Sequence, residues 1–470
     1  MKKSPALILI LFLSSFTAYV NAQEIPIDAA FRKSSIETLN QLMNDFYVFP
    51  EVAQKTGDHL NKLLETGYFD AFKDTESFAK ALTEQVQSIN KDKHMRVRSR
   101  PPGNAPVNTI DRLFEEHLDY KMRSRSNNLG FQEAKKLPGN IGYLDLRGFA
   151  NVYEAGPMAD HYMKLLSSSD AIIIDLRKNG GGDPGMVQYL CSYFFDKKVH
   201  LNSLYWRQGD RTDEFWTLDS VNGDQLPDIP LFVLTSNYTF SGAEEFSYNM
   251  QTQKRATLVG ETTGGGANPG GTRRINEYLS VFIPMGRAIN PITGTNWEGV
   301  GVVPEIQTTA EEAFDKGVEL ATAAAEAYRD RKKQEYKDIF KKVQANLEGF
   351  SNAKTEPERE KYQMRVFESL KLSVAAGLFD EGDINIMGYN FLNDYEKPNH
   401  AEAIFKTNTM LFPESANVFD SYGEALAAVG KLDESLASYR KAVELGEKNN
   451  DPQLEVFREN LKNVQEKLKP

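Results

Sequence analysis

Apolar residues recur at helical spacing through the first ninety positions. Phe31, Ile36, Leu39, Leu42, Met43 and Phe46 follow a 3.6-residue period, and Phe78, Leu82 and Val86 repeat it. Pro50 and Gly57 divide residues 25–89 into several helices, and Pro101, Pro102, Gly103 and Pro106 then mark a loop. From about Leu137 the pattern changes to short apolar runs. Residues 141–146, 171–176 and 231–235 predict strands, the second apolar enough to be buried. Helical stretches begin near Glu154 and after Pro184, and another helix follows the third strand. Strands alternating with helices imply an α/β layer structure. After Pro304 the pattern is helical again, with residues 321–334 rich in helix formers.

Near the C-terminus the chain repeats itself. Ala401, Phe405, Asn408, Leu411 and Pro413 align with Ser435, Tyr439, Ala442, Leu445 and Glu447, each pair 34 residues apart. That period and those residue sizes match tetratricopeptide helix pairs, against the plainer alternative of a helical hairpin in accidental register. Two units are too few to stand alone, so they are expected to pack on the preceding helices. They could also bind a protein partner.

The N-terminus adds a location. Lys2 and Lys3 precede an apolar run over residues 6–13, and Val20-Asn21-Ala22 ends a small, polar stretch. This is the pattern of a secretory signal peptide cleaved after Ala22, and it predicts an exported chain, periplasmic or secreted. A membrane span needs about 20 apolar residues, and this run is shorter and interrupted by Ser14, Ser15 and Asn21. No Cys follows to carry a lipid, and no later segment is long and apolar enough to span a bilayer.

Composition narrows the class. The 470 residues suggest about three domains, and 40% hydrophobic with 26% charged residues is a soluble globular balance. The net charge of −11 becomes −13 without residues 1–22, which argues against a nucleic-acid partner. A single Cys makes neither an internal disulfide nor a thiolate zinc cluster. With no His-x-x-x-His pair and no carboxylate cluster at ligand spacing, no metal or cofactor is expected.

Three segments could carry chemistry. In the run from Thr235 to Phe246, Ser241-Gly242-Ala243-Glu244 sits between a buried strand and a helix. There a serine can meet free helix N–H groups that favour developing negative charge. The plainer reading is an N-cap, with Glu244 completing a capping box. Asp175-Leu176-Arg177-Lys178-Asn179 leads into Gly180-Gly181-Gly182, whose amides could bind an oxyanion. The same glycines could simply be a flexible turn, and no Lys-Ser/Thr pair follows as a phosphate loop requires. Of six histidines, only His94, in Asp92-Lys93-His94-Met95-Arg96, has a suggestive setting. His59, His117, His161, His200 and His400 have none.

Together these motifs, with residues 260–266 and 297–305 (Gly-Glu-Thr-Thr-Gly-Gly-Gly and Trp-Glu-Gly-Val-Gly-Val-Val-Pro-Glu), resemble the tail-specific, C-terminal-processing serine peptidases. The resemblance covers residues 25–306. It implies a ClpP/crotonase-like α/β core at 137–310, a helical cap at 23–100 and a connecting segment at 101–136. A helical connector at 311–383 and repeats at 384–470 lie outside it. The branch with a Ser–Lys dyad would need a lysine where Gly266 stands. The chain more closely resembles the tricorn-like and interphotoreceptor retinoid-binding-protein-like branch. By that resemblance Ser241 is the nucleophile, His94 the base and Glu298 the supporting acid, with Gly181 and Gly242 as oxyanion donors. Lys93 stands where the tricorn relay has a serine, and the inserted peptide-binding PDZ domain is absent. The implied activity is hydrolysis of peptides or unfolded protein tails. The alternative is a catalytically inactive binder of an apolar ligand or peptide on the same fold.

Overall fold

A computed structural model describes residues 27–100 and 109–469. The expected signal peptide at 1–22 lies outside the described residues. Three helices come first, Ala29–Phe46 (α1), Pro50–Glu65 (α2) and Thr75–Asn90 (α3). Asp28 and Asp74 cap α1 and α3 by accepting from Phe31 and Ser77 amides, and Pro50 opens α2 where its missing N–H costs nothing. The stripe read from the sequence is the buried face: Ile36, Leu39 and Met43 meet Phe78, Leu82 and Val86.

Val97–Ser99 (β1) ends the cap segment. The connecting segment holds more structure than its loop-like composition suggests. It contains the helix Thr109–Ser126 (α4) and most of the strand Phe131–Leu137 (β2). The core continues with Ile141–Leu146 (β3), Val152–Leu166 (α5), Ala171–Asp175 (β4), Pro184–Ser192 (α6), His200–Trp206 (β5) and Arg211–Trp216 (β6). It closes with Leu231–Thr235 (β7), Gly242–Thr252 (α7), Thr257–Gly260 (β8), Gly270–Arg274 (β9), Leu279–Pro284 (β10), Gly286–Ile289 (β11) and Ile306–Gln307 (β12).

The main sheet runs β12-β8-β7-β4-β3-β2, parallel except for the antiparallel edge strand β2. β4 and β7 lie inside it and are buried at every position, which explains their unbroken apolar runs. A helix follows each of these strands after a short turn, so the turns at 176–183 and 236–241 meet at the carboxyl ends of the strands.

Two smaller antiparallel sheets, β1-β10-β9 and β11-β5-β6, complete this part. The first is the surprise. Its inner face, Val97, Leu279, Val281 and Ile283, belongs to the same apolar core as the three cap helices. The cap therefore does not end near residue 100; a hairpin from residues 270–284 returns to close it.

The chain divides into two compact units, residues 1–326 and 327–470. In the first, Ala321 and Ala325 of the helix Ala313–Asn352 (α8) cover Ile141, Ile173 and Leu234 of the main sheet. The second unit is all helical, with Glu356–Ala375 (α9), Glu381–Tyr389 (α10), Pro398–Leu411 (α11), Ala416–Ala428 (α12), Leu432–Asn449 (α13) and Leu454–Lys467 (α14). Val343, Leu347 and Phe350 pack on Val366, Leu370 and Ile404. The aligned positions 401–413 and 435–447 fall mostly in α11 and α13, each followed by a further helix, α12 and α14. Ala401 and Phe405 meet Ala425, and Ala442 and Leu445 meet Ala416 and Phe457. Among the described residues, no helix is long and apolar enough to cross a membrane.

Candidate active site

Ser241 lies between the turn after β7 and the first residue of α7. Its backbone is left-handed, φ 54° and ψ −120°, a conformation that costs a non-glycine residue energy and persists only where its surroundings hold it. Here side chains fasten its turn to the turn after β4. Thr239 Oγ1 donates to the Leu176 carbonyl at 2.8 Å and Ser236 Oγ to that of Arg177 at 2.6 Å, while the Phe240 amide donates to the Asn179 carbonyl at 3.1 Å. The two turns touch so closely that a Cβ on Gly181 would stand 2.8 Å from Ser241 Cβ and 2.7 Å from Gly242 N. Only glycine fits there.

One expected oxyanion donor is already engaged. The Gly181 amide donates to Asn179 Oδ1 at 2.8 Å. Asparagine two residues before a turn glycine captures that amide, a bond that counting glycines does not reveal. Gly242 is the first residue of α7 and its amide has no partner within the helix. Gly182 lies beside it, its amide without an acceptor among the described residues and only 3.0 Å from where a Gly242 Cβ would be.

His94 follows α3 in a turn where its own amide donates to Asp92 Oδ1 at 3.0 Å. Its ring lies between Phe240, 4.5 Å away by centroids, and Phe282, 5.7 Å away. Phe240 immediately precedes Ser241, so the aromatic contact ties the histidine to the serine turn. Burial, helped by the nearby Arg96 charge, pushes the imidazole pKa down to about 4. The ring is therefore neutral near pH 7, as a proton acceptor must be.

Two carboxyl groups stand close to the ring. Asp92 Oδ1 is 3.9 Å from His94 Nδ1, beyond hydrogen-bond length, and Glu298 completes a cluster whose three atoms lie within 4.8 Å of one another. Asp92 is buried and accepts from Asn268 Nδ2 at 2.9 Å and from Tyr47 Oη at 3.4 Å. Glu298 Oε2 accepts the Ala267 amide at 2.6 Å, whereas Oε1 and His94 Nδ1 are both buried without a partner. Burial and the adjacent Asp92 charge push Glu298 up to about 8, and burial also raises Asp92. The cluster offers one ligand atom fewer than the four of a structural zinc site. Sequence reading missed Asp92, although the Asp-x-His spacing was visible.

Lys93 does something else. Its ammonium reaches the Gly264 carbonyl at 2.5 Å and so fastens the glycine loop at 264–266 instead of contacting the imidazole. At Gly266, a Cβ would lie 2.2 Å from Phe240 Cζ and 2.7 Å from His94 Cε1. A lysine at this position would displace the histidine. The same loop is held from beneath by buried Glu244, whose carboxylate accepts from Thr263 Oγ1 and from the Ser241, Gly265 and Gly266 amides at 2.5–2.8 Å. The expected cap contact from Glu244 to the Ser241 amide is thus present, and it belongs to a larger network.

Ser241, His94, Gly182 and Gly242 line one cavity of about 950 Å³, together with Trp206, Tyr238, Phe240, Phe282 and Trp297. Glu245 also reaches it; Asn202 Nδ2 donates to its carboxyl at 3.1 Å, and burial pushes it up to about 7. Cys191 is buried in α6, with its thiol pKa raised by that burial, and is absent from the lining.

Residues 140–308 match the family described as Peptidase family S41, and residues 17–119 match the N-terminal domain of this peptidase in eukaryotic IRBP. The carboxyl-terminal-processing protease of Synechocystis sp. is 35% identical over 130 residues, 27% of this chain and 29% of the relative. The carboxy-terminal-processing protease of Bartonella bacilliformis is 24% identical over 216 residues, 44% and 48% of the two chains. The chain thus spans less than half the length of these relatives. Among solved structures, the photosystem II D1 C-terminal processing protease matches with 17% identity and a TM-score of 0.38 over 60% of this chain and 93% of that one.

Proposed function

We propose that this chain, whose core belongs to peptidase family S41, is a serine-type peptidase that hydrolyses peptide bonds through an acyl-enzyme on Ser241. The observation that carries the reading is the meeting, in one cavity, of a strained serine at a helix N-terminus with a neutral, half-buried histidine. His94 Nε2 takes the Ser241 proton as Oγ bonds to the substrate carbonyl carbon. The amides of Gly242 and Gly182 hold the resulting oxyanion. As the C–N bond breaks, the imidazolium returns the proton to the leaving amine. Water then attacks the ester with the same base and releases the acid. Asp92 faces Nδ1 and Glu298 stands in the same cluster, so that negative charge on this acid pair stabilises the transient imidazolium.

Incubation with a varied peptide mixture followed by mass spectrometry tests this. Wild type is expected to generate new termini and Ser241→Ala none; equal cleavage by both would sink the mechanism. A second reading, a non-catalytic binder of an apolar ligand or peptide, draws on the aromatic lining and the 3.9 Å gap between Asp92 and His94. An apolar molecule that co-purifies, with no peptide hydrolysed, would establish it. The N-terminal residues support export, which cell fractionation checks. The 34-residue period supports a partner-binding role for the C-terminal helices. Loss of a captured partner with peptidase activity intact, on deleting residues 384–470, is the result that role requires.

A further inference from the structure

The cavity wall beneath His94 is cationic in a chain that carries a net charge of −11. Lys93, Arg96 and Arg98 all line it, and the only acid among the lining residues is Glu245, which is buried and bound by Asn202. The sheet geometry explains the wall. Val97 points into the cap core, so Arg96 and Arg98 on either side of it point to the opposite face. The Phe282 amide donates to the Arg96 carbonyl at 3.1 Å and Arg98 pairs with Ser280, which places both arginines on the face that carries the cavity-lining Ser280 and Phe282. Ser280 in turn pairs with Arg274, extending the row across the sheet.

Lys93 is spent on the Gly264 carbonyl, but the two arginines are not consumed internally. Arg96 uses only Nε, which donates to the Lys93 carbonyl at 2.9 Å, and neither Arg96 nor Arg98 joins an ion pair among the described residues. Both are exposed, and each guanidinium presents a planar fork of donors that matches a carboxylate.

We propose that this wall selects peptides bearing a carboxylate next to the scissile bond, held by Arg96 and Arg98. The proposal rests on the peptidase reading for what happens next, but the recognition it describes is a binding property of the same cavity. A carboxylate can come from an acidic side chain or from a free C-terminus, and both offer the same two oxygens.

The test uses one cleavable neutral peptide in which each position near the cleaved bond is changed in turn from Gln to Glu or Lys, with the C-terminus free or amidated. Full-length wild type is assayed for kcat/KM, and Ser241→Ala for binding of the same labelled peptides by fluorescence anisotropy. Exposed ion pairs of this kind should favour Glu over Gln by roughly 1.5- to five-fold at the responsive position, with Lys below Gln. The preference should shrink as salt is raised, and the ratio should fall toward one in Arg96→Gln/Arg98→Gln. If the gain follows the free terminus and disappears on amidation, the terminal carboxylate is the ligand; if it follows Glu, the side chain is. Equal rates for Glu, Gln and Lys, or a preference for Lys, would overturn the proposal and leave the peptidase reading intact. Preferential binding of Glu peptides by Ser241→Ala, with no hydrolysis by wild type, would uphold the recognition and remove the peptidase reading. Neither binding nor cleavage of any acidic peptide would overturn it. Because the peptide series is read on wild type, the result does not depend on how the arginine variant folds.

Discussion

Two glutamates, buried Glu244 and half-buried Glu298, hold neighbouring residues of the 263–267 segment, and their surroundings differ. Glu244 accepts four hydrogen bonds, three of them from backbone amides, so both of its oxygens are occupied. Glu298 accepts one from Ala267, and its other oxygen is buried and unpaired beside Asp92 and the unpaired Nδ1 of His94. A saturated carboxylate can do little except hold the backbone in place. An unsaturated one beside a second acid and an imidazole keeps an unmet demand that a proton transfer can satisfy. The contrast separates scaffold from chemistry within one patch of structure.

The hardest test of that separation is the serine itself. Ser241→Ala should lower kcat by several powers of ten, as removal of a nucleophile does, with the melting temperature nearly unchanged, read from single-turnover kinetics and thermal melts. Next come the glutamates, which should diverge. Glu298→Gln keeps an oxygen for the Ala267 amide but can no longer ionise or exchange a proton beside His94. It should cost roughly 10²-fold in kcat and little stability. Glu244→Gln should do the reverse at first instance: turning an amide nitrogen toward the Ser241 and Gly266 N–H groups leaves buried donors unpaired, a loss of roughly 2–5 kcal/mol by denaturant titration. Activity then falls because the loop shifts. If both substitutions reduced stability equally and activity equally, the contrast would collapse.

A smaller effect is expected in the pH dependence. Glu298 is raised in the folded state to about 8 from an ordinary value of 4.5, so the native chain binds its proton more tightly than the unfolded one. Its contribution to stability is complete below about 4.5 and disappears as pH rises through 8. Wild type should therefore lose melting temperature between pH 6.5 and 8, above the range in which His94 opposes it, and Glu298→Gln should flatten part of that slope. His94 acts with the opposite sign, since its lowered pKa of about 4 makes stability rise between pH 4 and 6.5. The same lowering puts the acidic limb of kcat/KM near pH 4 in a rate profile, well below that of an unperturbed histidine. Lys93→Met should have the smallest effect, about 1 kcal/mol or less for an exposed contact to the Gly264 carbonyl. A large loss would show that Lys93, and not Asp92, governs the imidazole.

Much of this arrangement could be read one residue at a time. The strands at 141–146, 171–175 and 231–235 follow from continuous apolar runs, since a strand buried on both faces leaves no other pattern. The cap helices follow from their 3.6-residue stripe. Ser241, His94 and Glu298 could be nominated because their neighbours form ordered motifs, and the structure brings His94 and Glu298 together and puts Ser241 and His94 on one cavity. Other parts were less legible. The helix at 109–126 was obscured by the proline-rich stretch before it and by a polar composition that leaves Ile110, Leu113 and Phe114 exposed.

By itself the sequence determined the local elements: where helices and strands run, which turns need glycine, and which residues have reactive groups. These depend on periodicity and backbone sterics, which act between near neighbours in the chain. The tertiary structure alone decided which groups meet. It brought the 270–284 hairpin back to close the cap, set Asp92 beside Glu298 from a point more than two hundred residues away, turned the Gly181 amide to Asn179, and left no space for a side chain at Gly266. Hydrogen-bond saturation, desolvation and steric contact depend on distance in space, and residue spacing along a chain does not encode it.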